Sequence, residues 1–266
     1  WHKEIDMKLA KQQWGPFLVL VGLVLFPFIF AALTGSPVDE GPAKFWQGQF
    51  IVIFIMAVYA MSYDLLLGYN GILSFGHAAF FGGGAYTMAL FVTYMAPDII
   101  ANYRITLGGI NITDPLLLFA GLVLSVLVAV LLGLLYSTVS ARVKGAYFAM
   151  ITLAMGEALH IHSKATDFVE WTGADEGLHG IPVPAWINPT PNFGHKYFVA
   201  LAFAVIMYLI TRRIVNSPTG HVFVALRENE SRMQMIGYNP VVYRAIAFTT
   251  SATIAGMARA LYSLWT

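Results

Sequence analysis

The segment Ser62–Leu90, SYDLLLGYNGILSFGHAAFFGGGAYTMAL, decides the fold. It is too apolar for water and too interrupted for a plain membrane helix. Gly68, Gly71, Gly76, Gly82, Gly83 and Gly84 break its run, and Asn70, Ser74 and His77 stand where a lipid-facing helix carries leucine. Backbone groups freed by glycine at membrane depth are tolerated only inside protein or along a wet cavity. Interrupted hydrophobic segments of this kind also mark the passage in transport proteins. The stretch therefore implies a polytopic membrane protein with a translocation pathway at this point.

The rest of the chain agrees. Of 266 residues, 58% are hydrophobic and only 11% charged, against about 25% charged in soluble domains. The absence of cysteine excludes disulfides, thiolate metal sites and a cysteine nucleophile. His160 and His162 lie two apart on one segment and face different ways on a helix, so no metal site is expected. No phosphate-binding Gly-x-x-x-x-Gly-Lys-Ser/Thr run occurs, so the chain is not expected to bind ATP itself. Nothing suggests nucleic acid as a partner. Nor does any cluster of acids, histidines or nucleophile–base pairs at membrane depth suggest an enzyme.

Hydrophobic runs predict one all-α transmembrane domain over residues 1–266. Its spans are expected at about 16–33, 50–67, 70–94, 116–139, 146–162, 197–210 and 244–266. Because the sequence stops at Thr266 inside an apolar run, further spans are expected beyond it. With the amino terminus inside, ten cations (Lys3, Lys8, Lys11, Arg142, Lys144, Arg212, Arg213, Arg227, Arg232 and Arg244) fall on the inner side. Lys44, Arg104, Lys164 and Lys196 fall outside, and Arg259 within the last span. That asymmetry predicts a cytoplasmic amino terminus.

Between two inner-side helix ends lies SPTGHVFVALRENESRMQMIGYNP, Ser217–Pro240. Pro218 and Gly220 open it and Gly237 and Pro240 close it, the signals of a short helix. Val222, Leu226 and Met233 are its apolar positions, and Arg227, Glu228, Asn229, Glu230 and Arg232 its polar middle. It is either a solvated connector or a lever on which a soluble partner pushes.

Four blocks carry a resemblance: GYNGILSFGHAAFFGGGAYTMAL from Gly68, KGAYFAMITLAMGEAL from Lys144, TGADEGLHGIP from Thr172, and SPTGHVFVALRENESRMQMIGYNPVVYR from Ser217. In this order, across about Met61 to Tyr262, they resemble the ABC-importer permeases of the branched-chain amino acid family, M-type subunit. The resemblance implies a heterodimer with a second related permease in the bacterial cytoplasmic (inner) membrane. It also implies two ATPase subunits that bind the ATP, and a periplasmic solute-binding protein. Arg227, Glu228, Asn229, Glu230 and Gly237 then belong to the coupling segment. A urea or short-chain amide importer of the same architecture is the alternative.

Four residues are candidates for the substrate pathway: Asn70, Ser74, His77 and Glu157. Ser74 is placed to cap the helix after it, leaving a positive dipole end that suits a passing carboxylate; otherwise it is an ordinary half-helix start. His77 is either a hydrogen-bonded structural residue or a pathway group. The small residues from Ala78 to Ala85 form faces for close helix packing. Glu157 either lines a cavity or sits at the outer interface beside Lys164. Trp14, Trp46, Tyr197 and Tyr262 are expected as interfacial aromatics.

Overall fold

The computed structural model describes residues 2–35, 37, 38, 40–102, 106, 107, 110, 111, 113–143, 145–165, 167, 169–173 and 193–265. The long helices are α1 (His2–Thr34), α2 (Gly41–Asp64), α3 (Ala78–Leu90), α5 (Thr113–Ser140), α6 (Ala146–Ser163), α8 (Phe193–Val215) and α11 (Pro240–Ser263). Shorter ones are α4 (Ala96–Asn102), α7 (Val169–Thr172), α9 (Pro218–Glu228) and α10 (Glu230–Met235). A hairpin of two-residue strands, β1 (Thr106–Leu107) and β2 (Ile110–Asn111), is a minor addition to an all-α fold.

Among the described residues, five helical stretches are long and apolar enough to cross a membrane: Gly41–Tyr69, Ala78–Ile99, Pro115–Ser140, Gly194–Val215 and Pro240–Ser263. Leu18–Thr34 is a shorter apolar helix. The exposed face of α5 shows why the medium must be apolar. Leu116, Phe119, Val123, Leu127 and Leu131 succeed one another at helical spacing and are 44–65% exposed. Each would forgo roughly 1.5–3 kcal/mol of burial if left in water. The protein is a multi-pass membrane protein.

Several helix bounds differ from the sequence expectation. Helix α1 already begins at His2, because its polar first turns continue into the apolar run without a break. Helix α2 starts at Gly41 with Pro42 in its first turn, where proline lacks only an N–H that has no helical partner anyway. Gly68, expected just beyond the second span, belongs to the end of that helix. Five residues in π geometry, Leu65–Tyr69, carry α2 into a non-helical stretch, and α3 begins only at Ala78. The expected helix over 217–240 is two helices, α9 and α10, divided at Asn229 by extended backbone. Residues 174–192, which hold most of the block that begins at Thr172, lie outside the described residues.

Two compact units are resolved, and each has its own core. The first comprises Trp1–Ile53 and Trp186–Ala202. Within it the Tyr197 hydroxyl donates to the Leu23 carbonyl at 2.7 Å, and Phe50 packs on Phe26 with ring centroids 4.5 Å apart. Tyr197 is fully buried; it locks two helices together rather than marking an interface.

The second unit, Phe54–Ala185 with Phe203–Thr266, is built on α3, α5 and α11. Phe80, Ala129, Tyr136, Phe248, Ala252 and Ala255 are inaccessible at its centre. Glycine lets the helices touch: a Cβ on Gly84 would overlap the Gly256 carbonyl, and one on Gly256 would stand 2.8 Å from the Ala129 methyl. Ser125 donates to the Gly121 and Gly84 carbonyls at 2.9 and 3.3 Å. The intramembrane cation Arg259 lies over the rings of Phe81 and Tyr262 at 5.2 and 4.9 Å, a geometry that stabilises a desolvated guanidinium. Tyr262 is thereby the partner of a charge and not simply a belt residue.

This packing separates two neighbouring glycines. Gly84→Ala forces α3 away from α11 and is expected to destabilise the protein by about 1–3 kcal/mol. Gly82→Ala, where a Cβ meets nothing within 4 Å, is expected to leave stability unchanged or improved. Thermal unfolding of the two variants in detergent checks the contrast.

Candidate functional site

The break between α2 and α3 is the non-helical stretch 70–77 that joins the candidate spans Gly41–Tyr69 and Ala78–Ile99. Its first turn is closed by the Gly71 and Ile72 amides, which donate to the Leu67 and Leu66 carbonyls at 3.1 Å each. Gly71 takes φ +72, a left-handed conformation that glycine adopts without strain. A Cβ there would also press on the Arg227 side chain at 2.5 Å. Farther along, the Phe75 amide donates to the Thr152 hydroxyl of α6 at 3.1 Å. Gly76 lies so close to α6 that a Cβ would overlap the Thr152 carbonyl and stand 2.7 Å from the Tyr136 ring.

Ser74 does not cap α3. Its hydroxyl is buried and without a partner among the described residues. The helix starts three residues later, at an N-cap, His77, that makes no side-chain cap bond. The chain first turns through Ala79 N–H to Gly76 C=O and Phe80 N–H to His77 C=O. These turns move the helix start out of reach of Ser74.

His77 is 2% exposed inside an aromatic box, with Tyr59, Tyr63 and Phe80 ring centroids 5.1–5.3 Å away. The Ser62 hydroxyl donates its one proton to the Tyr59 carbonyl at 2.6 Å, so His77 Nε2, 2.9 Å from that oxygen, must be the donor. Its Nδ1 is then a bare acceptor, and it has no partner among the described residues. Ser251 of α11 donates to the Ser62 carbonyl and completes the chain α11–α2–break. His77 is thus tied into structure at one nitrogen. Asn70 is also buried, and its Nδ2 has no partner among the described residues.

Two cavities share the break as a wall. The first, about 500 Å³, is lined by Asn70–Leu73, by the start of α6, and by Leu226, Arg227, Glu230 and Arg244. The second, about 600 Å³, is lined by Phe75, Gly76, the α3 face carrying Gly82 and Gly83, Val128 and Leu132 of α5, and Leu153 to His162 of α6. Glu157 and His160 line this second cavity; Asn70 lines the first. The four pathway candidates are therefore not gathered in one pocket. Ser74 and His77 lie in the partition.

The α9–α10 segment is anchored at every end. The Ser217 hydroxyl accepts from the Gly220 amide at 3.3 Å, with Pro218 at the first helical position. Asn229 ends α9 and caps α10, accepting from the Arg232 amide at 2.9 Å. Gly237, at φ +95, closes α10 as Tyr238 N–H bonds Met233 C=O and Gly237 N–H bonds Gln234 C=O, both at 3.0 Å. This pairing satisfies two helix-end carbonyls. Val222, Leu226 and Met233 pack inward as expected, against Tyr243. Asn229 is thus a hinge cap and Gly237 a helix stop.

The remaining three candidates in the segment differ in orientation. Arg227 donates to the Gly68 carbonyl at the end of α2 and pairs with Glu228 at 3.3 Å. Glu228 is otherwise exposed. Glu230 turns inward, 2.6 Å from Arg244, whose other nitrogen donates to the Ser140 carbonyl at 3.0 Å. Thr152, Tyr136, Ser62 and Arg244 were not singled out from the sequence. A hydroxyl inside the apolar run FAMITLAM was the one available signal for Thr152.

Comparisons with known proteins place the chain in a family. A family model described as "Branched-chain amino acid transport system / permease component" matches residues 48–266. The chain belongs to that family. Among curated proteins it is similar to the "High-affinity branched-chain amino acid transport system permease protein LivM" of Salmonella typhimurium, at 27% identity over 97% of this chain and 59% of that protein. The Escherichia coli protein of the same description gives the same identity and coverage. The "Probable branched-chain amino acid transport permease protein LivM" of Methanocaldococcus jannaschii is 25% identical over 83% of this chain and 66% of its own. The chain thus spans 59% of the length of the two bacterial relatives. No solved structure matches. The family match covers the break, both cavities and the whole α9–α10 segment.

The bond from Phe75 to Thr152 gives a direct check on the partition. Thr152→Val leaves a part-buried amide donor without its acceptor, at a cost of about 1–2 kcal/mol. Deuterium uptake at the Phe75 amide is expected to quicken by roughly tenfold or more, with Thr152→Ser close to wild type. Unchanged exchange in Thr152→Val would contradict the bond.

Proposed function

We propose that the chain is the membrane-spanning permease subunit of an ATP-driven importer of branched-chain amino acids. In this reading it pairs with a second related permease, two ATPase subunits on the cytoplasmic side and an external solute-binding protein. The ATP is hydrolysed by the partner subunits, and the chain itself is non-catalytic. The amino terminus and the α9–α10 segment face the cytoplasm of a bacterial inner membrane. The names of the relatives favour aliphatic amino acids over urea.

One observation carries the mechanism: Arg227 of α9 grips the Gly68 carbonyl at the last turn before the break. A helix fixed at both ends and bonded to the last turn of a transmembrane helix passes motion on, whereas a slack connector does not. Met235 and Ile236, at the end of α10, are 85% and 63% exposed, and Glu228, at the end of α9, is exposed too, a mixture of apolar and polar groups that suits a protein surface. In the working cycle, nucleotide-driven closure of the ATPases shifts α9 and α10. Arg227 then draws the end of α2, and the break exchanges which cavity is open. Transport requires only that the solute and nucleotide bind the two states differently.

Reconstituted with its partners in vesicles, the protein is expected to accumulate leucine and not urea when ATP is supplied. Arg227→Glu replaces a charge-assisted bond with repulsion from the Gly68 carbonyl. It is expected to lower uptake by about tenfold or more while ATP hydrolysis continues. Uptake at the wild-type rate in this variant would rule out the lever.

A further inference from the structure

We propose that the second cavity is the amino-acid site of the passage and that Glu157 receives the solute's ammonium group; this deepens the importer reading and rests on it. Among the described residues that line the cavity, Glu157 is the only Asp, Glu, Lys or Arg. Among the described residues it makes no hydrogen bond or ion pair, although Lys164 stands two turns farther along the chain. Glu157 is exposed on α6 and lines the cavity together with His160 and His162 of the same helix, and the described residues of the cavity's walls include no Lys or Arg. A carboxylate in a wet cavity of a membrane protein is suited to pair with a cation.

The other walls have the complementary chemistry. Val128, Leu132 and Leu153 form an apolar surface for an aliphatic side chain. Gly82 keeps that space open, since a Cβ there meets nothing within 4 Å. Gly76, Ala78 and Ala79 bring the uncapped start of α3 to the same cavity. The positive end of that helix offsets the solute's carboxylate. Its 600 Å³ is within the range of small-molecule sites. A neutral amide such as urea has no cationic group to spend on Glu157, so the carboxylate also acts as a selectivity element.

The test uses the complete transporter in vesicles, with leucine as the solute and its binding protein supplied. Glu157→Gln is expected to lower leucine uptake by about tenfold or more. Stimulation of ATP hydrolysis by the loaded binding protein is expected to persist, because docking and the α9–α10 lever are untouched. Glu157→Asp, which keeps the charge, should restore much of the uptake per ATP hydrolysed. Wild-type uptake in Glu157→Gln and Glu157→Ala would overturn the assignment and leave the importer reading standing. Equal loss of uptake and of ATPase stimulation in Glu157→Gln and Glu157→Asp would make Glu157 a structural residue and also overturn it. Failure of the unmodified transporter to move leucine would instead overturn the importer reading.

Discussion

The non-helical stretch that joins two membrane spans leaves peptide N–H and C=O groups without helical partners, and where they are buried they must find others in the protein. The second unit of this protein is organised around meeting that demand between Tyr69 and Ala78. The π turn at Leu65–Tyr69 lets the Gly71 and Ile72 amides reach back into α2. Thr152 of α6 accepts from Phe75. Arg227 of α9 covers the Gly68 carbonyl. Each solution recruits a different element, and so the break joins α2, α6 and α9 into one polar system.

That system has consequences for function. Of the elements that satisfy the break, α6 lines both cavities and α9 lines the first. Glycine sets how close they come: Gly76 against Thr152 and Tyr136, and Gly71 against the Arg227 stem. Behind them, the contact of Gly84 with Gly256 fixes α3 to α11 as a rigid back. A hinge of this kind needs a stiff frame and a few satisfied but exchangeable bonds. Charge-assisted bonds to a single carbonyl, such as that of Arg227, have this character.

Much of this was legible in the sequence. Glycine density located the break, because only a backbone buried in protein tolerates it. Pro218, Gly237 and Pro240 bounded the α9–α10 segment, because their backbone preferences are local. What failed was tertiary. Ser74 has the right residue type for a cap, but the helix start was drawn downstream when Phe75 found Thr152, 77 residues away. Glu230 sits in a run of charges that reads as solvated, yet Arg244 turns it inward. Asn229 splits a segment that looked continuous, because its own side chain caps α10. Tyr197 and Tyr262 have the composition of interfacial aromatics and gained other roles from partners, Leu23 and Arg259, that no local pattern names.

The central claim is that the break is a movable partition between two cavities, worked through α9. The protein contains no cysteine, so single cysteines at Leu73, in the first cavity, and Leu153, in the second, report access without background. Modification rates by a water-soluble maleimide are to be compared in the assembled transporter, nucleotide-free and with ATP trapped. The account predicts opposite changes at the two positions, one rate rising as the other falls. Rates that do not respond to nucleotide, or that rise and fall together, would contradict it.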